Sequence, residues 1–377
     1  MSQAPPDNGV PAENEPQNPV RARKQNIVKR FFASRESSVC FVLVVLCIFL
    51  FFVIDKPFVI EHHPFRILLN SHDHVYRFAA RPNWLNLSRQ IALLGIFAIG
   101  ETIVILTSGI DLSVGSLIGF SGMLMALMIT RLDSRMFTGA AIGLSLLLTL
   151  VLSFVVGTIH ANLIHKLKLP PFVVTLASLS ILKSQALLVN SQLPISLTDY
   201  SFILNLANGS LFPNSRLPIP IPLALLAVIG VVIHLLLSKA RIGRYVYSVG
   251  SNELGTQLSG VNVGRVKLFA YGISALLGGV AGILYAGYST QGDPRNGIGY
   301  ELNAVAAAVI GGTALTGGQG TVLGTVLGAC LLNVILTGLN MLDVPNQSLW
   351  QGTVVGGVLL LAVLTSAFQQ RRKKIKS

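Results

Sequence analysis

Residues 219–238 read IPIPLALLAVIGVVIHLLLS, twenty positions without an Asp, Glu, Lys or Arg, followed at once by Lys239, Arg241 and Arg244. A helix needs about 20 predominantly apolar residues to cross a hydrocarbon core roughly 30 Å thick. A basic flank at one end is how such a helix is held against anionic headgroups. Working outward, comparable apolar runs occupy 39–54, 91–108, 112–130, 137–160, 171–190, 266–288, 302–315, 322–340 and 349–367. The chain therefore reads as an all-α polytopic membrane protein of about ten transmembrane helices. The run 302–315 is short, and its Gly311-Gly312 ending predicts a helix that stops inside the membrane or tilts. Composition agrees: 52% hydrophobic and 11% charged residues leave too little polar material to coat soluble domains built from 377 residues.

The formal net charge of +13 would suit a nucleic-acid binder if the basic residues formed a patch. They lie instead at the ends of apolar runs, which assigns them to lipid headgroups and excludes nucleic acid. With the amino terminus in the cytoplasm, eighteen of the 28 Lys and Arg fall inside and nine outside, with Lys183 within a span. That bias puts both termini in the cytoplasm, since an odd number of spans would carry the terminal RRKKIK outside. Residues 1–36 read as a disordered basic tail, because its opening MSQAPPDNGVPAENEPQNPV cannot bury a core. Residues 37–368 form the membrane domain, with an extracytoplasmic loop at 55–90 and a long cytoplasmic loop at 239–265, and 369–377 make a second basic tail. The first apolar run lacks the small-residue cleavage site of a signal peptide and reads as a retained span. Cys40, Cys47 and Cys330 all fall within apolar runs, and Cys40 and Cys47 stand roughly 10 Å apart on one helix, too far for a disulfide.

Three features stand out from this apolar background. In GETIVILTSGIDLSVGSLIGF (100–120), Glu101, Asp111 and Ser113 surround a glycine-punctuated break. An ionisable residue in lipid is costly and faces a bundle interior or water. Glu101 either pairs with a cation such as Lys183 or lines a path, and Asp111 or Ser113 either caps the next helix or touches a solute. In KARIGRYVYSVGSNELGTQLSGVNVGRVK (239–267), residues 252–259 form a short amphipathic helix between Gly250 and Gly260, with Leu254 and Leu258 at i, i+4. Such an element docks on a partner or lies on the membrane surface. Finally, Gly115 and Gly119, Gly278 and Gly282, Gly320, Gly324 and Gly328, and Gly352 and Gly356 stand four apart, baring helix faces for close packing.

Several chemistries are disfavoured. The run GGTALTGGQG lacks the Lys-Ser/Thr ending of a phosphate-binding loop, so this chain hydrolyses no nucleotide by itself. Glu61, His62, His63, His72, Asp73 and His74 cluster in the 55–90 loop, a grouping more often incidental than metal-binding, and no metal site is assigned. Trp84 closes that loop as an interfacial anchor. His160 and His234 are single and peripheral, which argues against a membrane-embedded hydrolase or acyltransferase.

The sequence resembles the permease subunits of ABC importers for sugars, the family of the ribose, xylose, galactoside and autoinducer-2 systems. The resemblance rests on ILTSGIDLSVGSLIG from Ile105, GRYVYSVGSNELGTQLSGVNVGRVK from Gly243, GYELNAVAAAVIGGTALTGGQGTVLGTVLGA from Gly299, and the terminal span after Trp350. It implies a homodimer in a bacterial inner membrane, a cytoplasmic ATPase on separate chains that uses ATP and Mg, and a periplasmic sugar-binding protein. No cofactor is implied for this chain. It also implies alternating access between the two permease copies, with no covalent chemistry on the substrate. The ATPase contact maps to Asn252, Glu253, Leu254, Gln257, Leu258, Ser259 and Gly260, and the path to Glu101, Asp111 and Ser113. Gly255-Thr256 departs from the pair of small residues usual in that family, which bears on the geometry of the contact helix. The rival reading is an ion-coupled secondary transporter of a small polar solute, with Glu101 and Asp111 as its coupling carboxylates.

Overall fold

The computed structural model describes residues 35–54, 78–215, 217–342 and 347–376. The chain is built from thirteen helices among these residues: α1 (Arg35–Ile54), α2 (Arg81–Leu106), α3 (Val114–Asp133), α4 (Thr138–Lys166), α5 (Pro171–Val189), α6 (Ser201–Asn208), α7 (Ile221–Lys239), α8 (Arg241–Ser251), α9 (Glu253–Leu258), α10 (Val263–Tyr288), α11 (Tyr300–Ile310), α12 (Val322–Met341) and α13 (Gln347–Lys376). Two two-residue ribbons complete the regular structure: β1 (Ile195–Ser196) pairs antiparallel with β4 (Gln291–Gly292), and β2 (Ser210–Leu211) with β3 (Ile219–Pro220).

Eight of the helices are long and apolar enough to cross a membrane, namely α1, α2, α3, α4, α5, α7, α10 and α12. They divide into two kinds. Along α2, α3, α10 and α12 most of the apolar window is buried within the protein, whereas α1, α4, α5 and α7 leave most of theirs exposed. Without water between helices and lipid, an exposed apolar face costs nothing in a bilayer, so Leu147, Val151, Ile159 and Val228 stand outward on α4 and α7. The inner helix α10 packs on α2, α3 and α4, and glycine lets it do so: a Cβ at Gly282 would meet Ser121 Oγ and the Ile118 carbonyl of α3. Gly278 faces Leu117, and Gly122 faces the carbonyl of Gly282.

The short run at 302–315 resolves in an instructive way. Helix α11 has 11 residues, about 16 Å of rise, half of a hydrocarbon core. Its first residue lies at the end of the bundle where α10 finishes, with Tyr300 and Tyr285 joined through their hydroxyls at 2.5 Å. The following glycine-rich segment reaches the opposite end, where Gly318 N–H donates to the Leu106 carbonyl at the end of α2 (3.0 Å). A half-length helix and a glycine-rich, mostly buried or half-buried loop thus run together from one end of the bundle to the other, the setting in which irregular backbone is tolerated at membrane depth. Gly311 and Gly324 meet so closely that a Cβ on either would strike the other's carbonyl, and Gly328 lies against the Ala307 carbonyl.

Two sequence boundaries shift. Helix α2 begins at Arg81, so the last ten positions assigned to the 55–90 loop are its first turns, Trp84 among them in edge contact with Phe78. Helix α13 continues through the basic terminal run to Lys376. The tail 1–34 and the histidine cluster between Glu61 and His74 lie outside the described residues.

Candidate functional site: the broken helix and the surface lever

At the end of α2 the chain turns through Thr107 and Ser108, the latter at φ 61°, before α3 begins at Val114. Glu101 sits inside α2 with 0% exposure, and its Oε1 accepts the backbone N–H of Asp111 (3.1 Å). Asp111, 1% exposed, accepts through Oδ1 from Ser113 N–H (3.0 Å) and Ser113 Oγ–H (2.6 Å). This is an Asx-type turn just ahead of α3; it satisfies the N–H of the N-cap residue Ser113, while no side chain caps the first-turn amides of α3, so neither Asp111 nor Ser113 is the helix cap the sequence offered. Lys183, offered by sequence as a partner for Glu101, is exposed on α5, and the carboxylate within its electrostatic reach is Glu301. Glu101, Asp111 and Ser113 are therefore joined to one another and closed off from solvent within the single chain.

The long loop at 239–265 is almost wholly helical. In α8, Val246, Val249 and Gly250 face inward. The Tyr247 hydroxyl donates to the Gly320 carbonyl (2.9 Å), and burial pushes its pKa above the ordinary phenol value. Asn252 caps α9 by accepting Gly255 N–H at 2.8 Å, and Gly260 closes it at φ 83°. The orientation of α9 is inverted relative to a core helix. Its polar Thr256 is buried and bonded to Ser248 Oγ (2.7 Å), whereas Leu254 and Leu258 are 67% and 79% exposed. Gln257 and Ser259 also face outward. Lys267 Nζ of α10 donates to Glu253 Oε1 (2.7 Å), which fixes α9 to the inner helix. Because Glu253 is about half open to water, the pair is screened. A double-mutant cycle of Glu253→Gln and Lys267→Met, read in thermal unfolding, is expected to give a coupling energy of roughly 1 kcal/mol.

What sequence reading missed is the tie between these two places. The Ser108 hydroxyl lies 2.9 Å from the carbonyls of both Gly250 and Thr316. Gly250, at the end of α8, packs against the Leu106 carbonyl and the Gly318 amide. Gly312, Gly317, Gly318 and Gly320 all hold positive φ, so GGTALTGGQG is neither a phosphate loop nor a helix face but a backbone clasp. Gly320 accordingly belongs to this clasp rather than to helix packing, and Gly352 and Gly356 on α13 have open space around them. The signal in the sequence was the close succession of two Gly-Gly steps, Gly311-Gly312 and Gly317-Gly318, although a single such step does not end a helix, since α10 carries Gly278-Gly279.

The turn between α2 and α3 is thus clasped to the outward-facing α9 region, and comparison places this membrane bundle among the permeases. The chain belongs to the family described as branched-chain amino acid transport system / permease component, whose model matches residues 83–364. It is 34% identical over 300 residues to the ribose import permease of Haemophilus influenzae, covering 78% of this chain and 88% of that protein. It is 37% identical over 282 residues to the ribose import permease of Bacillus subtilis, covering 75% and 84%. The xylose transport system permease of Haemophilus influenzae is 30% identical over 336 residues, covering 74% and 88%. No solved structure matches significantly.

Proposed function

We propose that this chain is the transmembrane subunit of an ATP-driven importer that moves a ribose-like monosaccharide across a bacterial inner membrane. Similarity to ribose and xylose permeases over most of both chains supports the sugar. The observation that carries the ATP-driven mechanism is the inverted amphipathicity of α9: two leucines stand in water on a helix rigidly tied to the membrane domain. Such a surface suits the groove of a cytoplasmic ATPase on a separate chain, which binds ATP and Mg. Asn252, Glu253, Leu254, Gln257, Leu258, Ser259 and Gly260 form that contact.

Two copies of the chain enclose the path, and an extracytoplasmic binding protein delivers sugar to its outer mouth. Closure of the ATPases displaces α9. The displacement passes through the Glu253–Lys267 pair to α10, and through Gly250 and the clasp to the end of α2. Glu101, Asp111 and Ser113 serve the path by fixing the break between α2 and α3. The test is reconstitution of the chain in proteoliposomes with its ATPase and binding protein. Uptake of labelled ribose or xylose should require ATP and all three components. Uptake that persists without the ATPase on an ion gradient would overturn the reading.

A further inference from the structure

The break between α2 and α3 buries two carboxyl groups with no Lys or Arg paired to them among the described residues. One oxygen of each is satisfied, but Glu101 Oε2 and Asp111 Oδ2 have no hydrogen-bond partner. A third unpartnered group faces the same turn: Tyr271 of α10 is 1% exposed, and its hydroxyl lies against Gly109 without a hydrogen bond. Both carboxyl groups are within electrostatic reach of that hydroxyl.

The charged and titratable neighbours are accounted for. Among the described residues no Lys or Arg pairs with Glu101 or Asp111. On α4, His160 uses Nε2 toward Ser178 of α5 (2.8 Å), leaves Nδ1 unpartnered and feels Asp111. On α10, Lys267 lies one turn before Tyr271 but is committed to Glu253 of α9. On α11, Glu301 lies across Gly115, and the charge it feels is that of Lys183.

Two adjacent carboxylates in a water-free site do not both stay ionised, because each lost hydration shell costs several kcal/mol and the two charges repel. A proton cancels one charge and turns an orphaned acceptor into a donor. We propose that Glu101 holds a proton beside Asp111, and that this proton, with the Tyr271 hydroxyl, holds the break between α2 and α3 in place. The folded chain therefore binds a proton that the unfolded chain does not hold at neutral pH. Stability from this source is fully present below the ordinary carboxylate range and is lost progressively as pH rises from there through the point where Glu101 gives up its proton in the folded chain.

The test uses the full chain in lipid nanodiscs. Infrared difference spectra should show the C=O stretch of a buried carboxylic acid that Glu101→Gln removes. The same variant, an isostere of the protonated acid, should fold, and its melting temperature should lose the decline with rising pH that is expected of the native chain. Absence of that band, or a melting temperature that rises with sodium or potassium at fixed pH and ceases to do so in Glu101→Gln, overturns the proposal, the latter by assigning the charge to a bound cation. If Glu101→Gln does not fold, Tyr271→Phe decides. A shift of the native chain's acid band in that variant supports a proton held beside the hydroxyl, and an unshifted band overturns it.

Discussion

Leu258→Asp is expected to abolish ATP-driven uptake while leaving the chain folded and inserted. At 79% exposure, Leu258 contributes almost nothing to the interior, and surface substitutions of this kind change stability by about 0.5 kcal/mol or less. Against a docked partner the same aspartate is a desolvated charge without a counter-ion, costing about 3–5 kcal/mol. Since about 1.4 kcal/mol is a factor of ten in affinity, binding of the ATPase should weaken at least 100-fold. Leu254→Asp should behave alike, since Leu254 is 67% exposed one turn earlier on the same face. Leu258→Met keeps the apolar surface and should retain uptake. Co-purification with the ATPase and uptake in proteoliposomes measure the two halves of the effect. A Leu258→Asp chain that still co-purifies and still imports would remove α9 from the contact.

Why the lever was visible in sequence and its clasp was not follows from the range of the forces involved. The spans announce themselves by solvent preference, a property of each residue summed along the chain, so their positions were read within a few residues for α3, α5, α7 and α12. The helix expected over 252–259 is likewise marked locally and is found at Glu253–Leu258, with Asn252 as its cap rather than its first turn and Gly260 just beyond its end. Contacts across the fold carry no such local mark. Lys183 was the one cation in a span and so the obvious partner for Glu101, yet only the packing of α5 decides which carboxylate it reaches. Likewise, four-residue glycine spacing marks a bare helix face without saying what approaches it. Gly282 and Gly328 meet backbone, whereas Gly352 and Gly356 meet nothing within the chain. The half-length α11 shows the same limit, since hydropathy measures apolar length and not whether a buried loop finishes the crossing.

Gly250→Ala is the substitution with the largest expected cost to the fold. The added methyl would enter the space between the Leu106 carbonyl and the Gly318 amide, two groups already joined by a 3.0 Å hydrogen bond. Neither is the end of a flexible side chain, so relief demands that the clasp open or that α8 move away from the end of α2. Overpacking costs about 1–3 kcal/mol, and stranding a buried backbone bond adds about 1–3 kcal/mol, so a total on the order of 3–5 kcal/mol is expected from one carbon. That is a large fraction of the 5–15 kcal/mol typical of a folded domain. Gly356→Ala supplies the comparison, because open space surrounds that position and alanine is the better helix former by about 0.5–1 kcal/mol. Thermal unfolding in detergent should therefore place Gly250→Ala far below the native chain and Gly356→Ala at or slightly above it. Surviving Gly250→Ala protein should also bind the ATPase yet fail to import, because Leu254 and Leu258 remain exposed while the connection from α8 to the end of α2 is broken. If Gly250→Ala melts with the native chain and imports normally, motion reaches the membrane through the Glu253–Lys267 pair alone, and the clasp is packing.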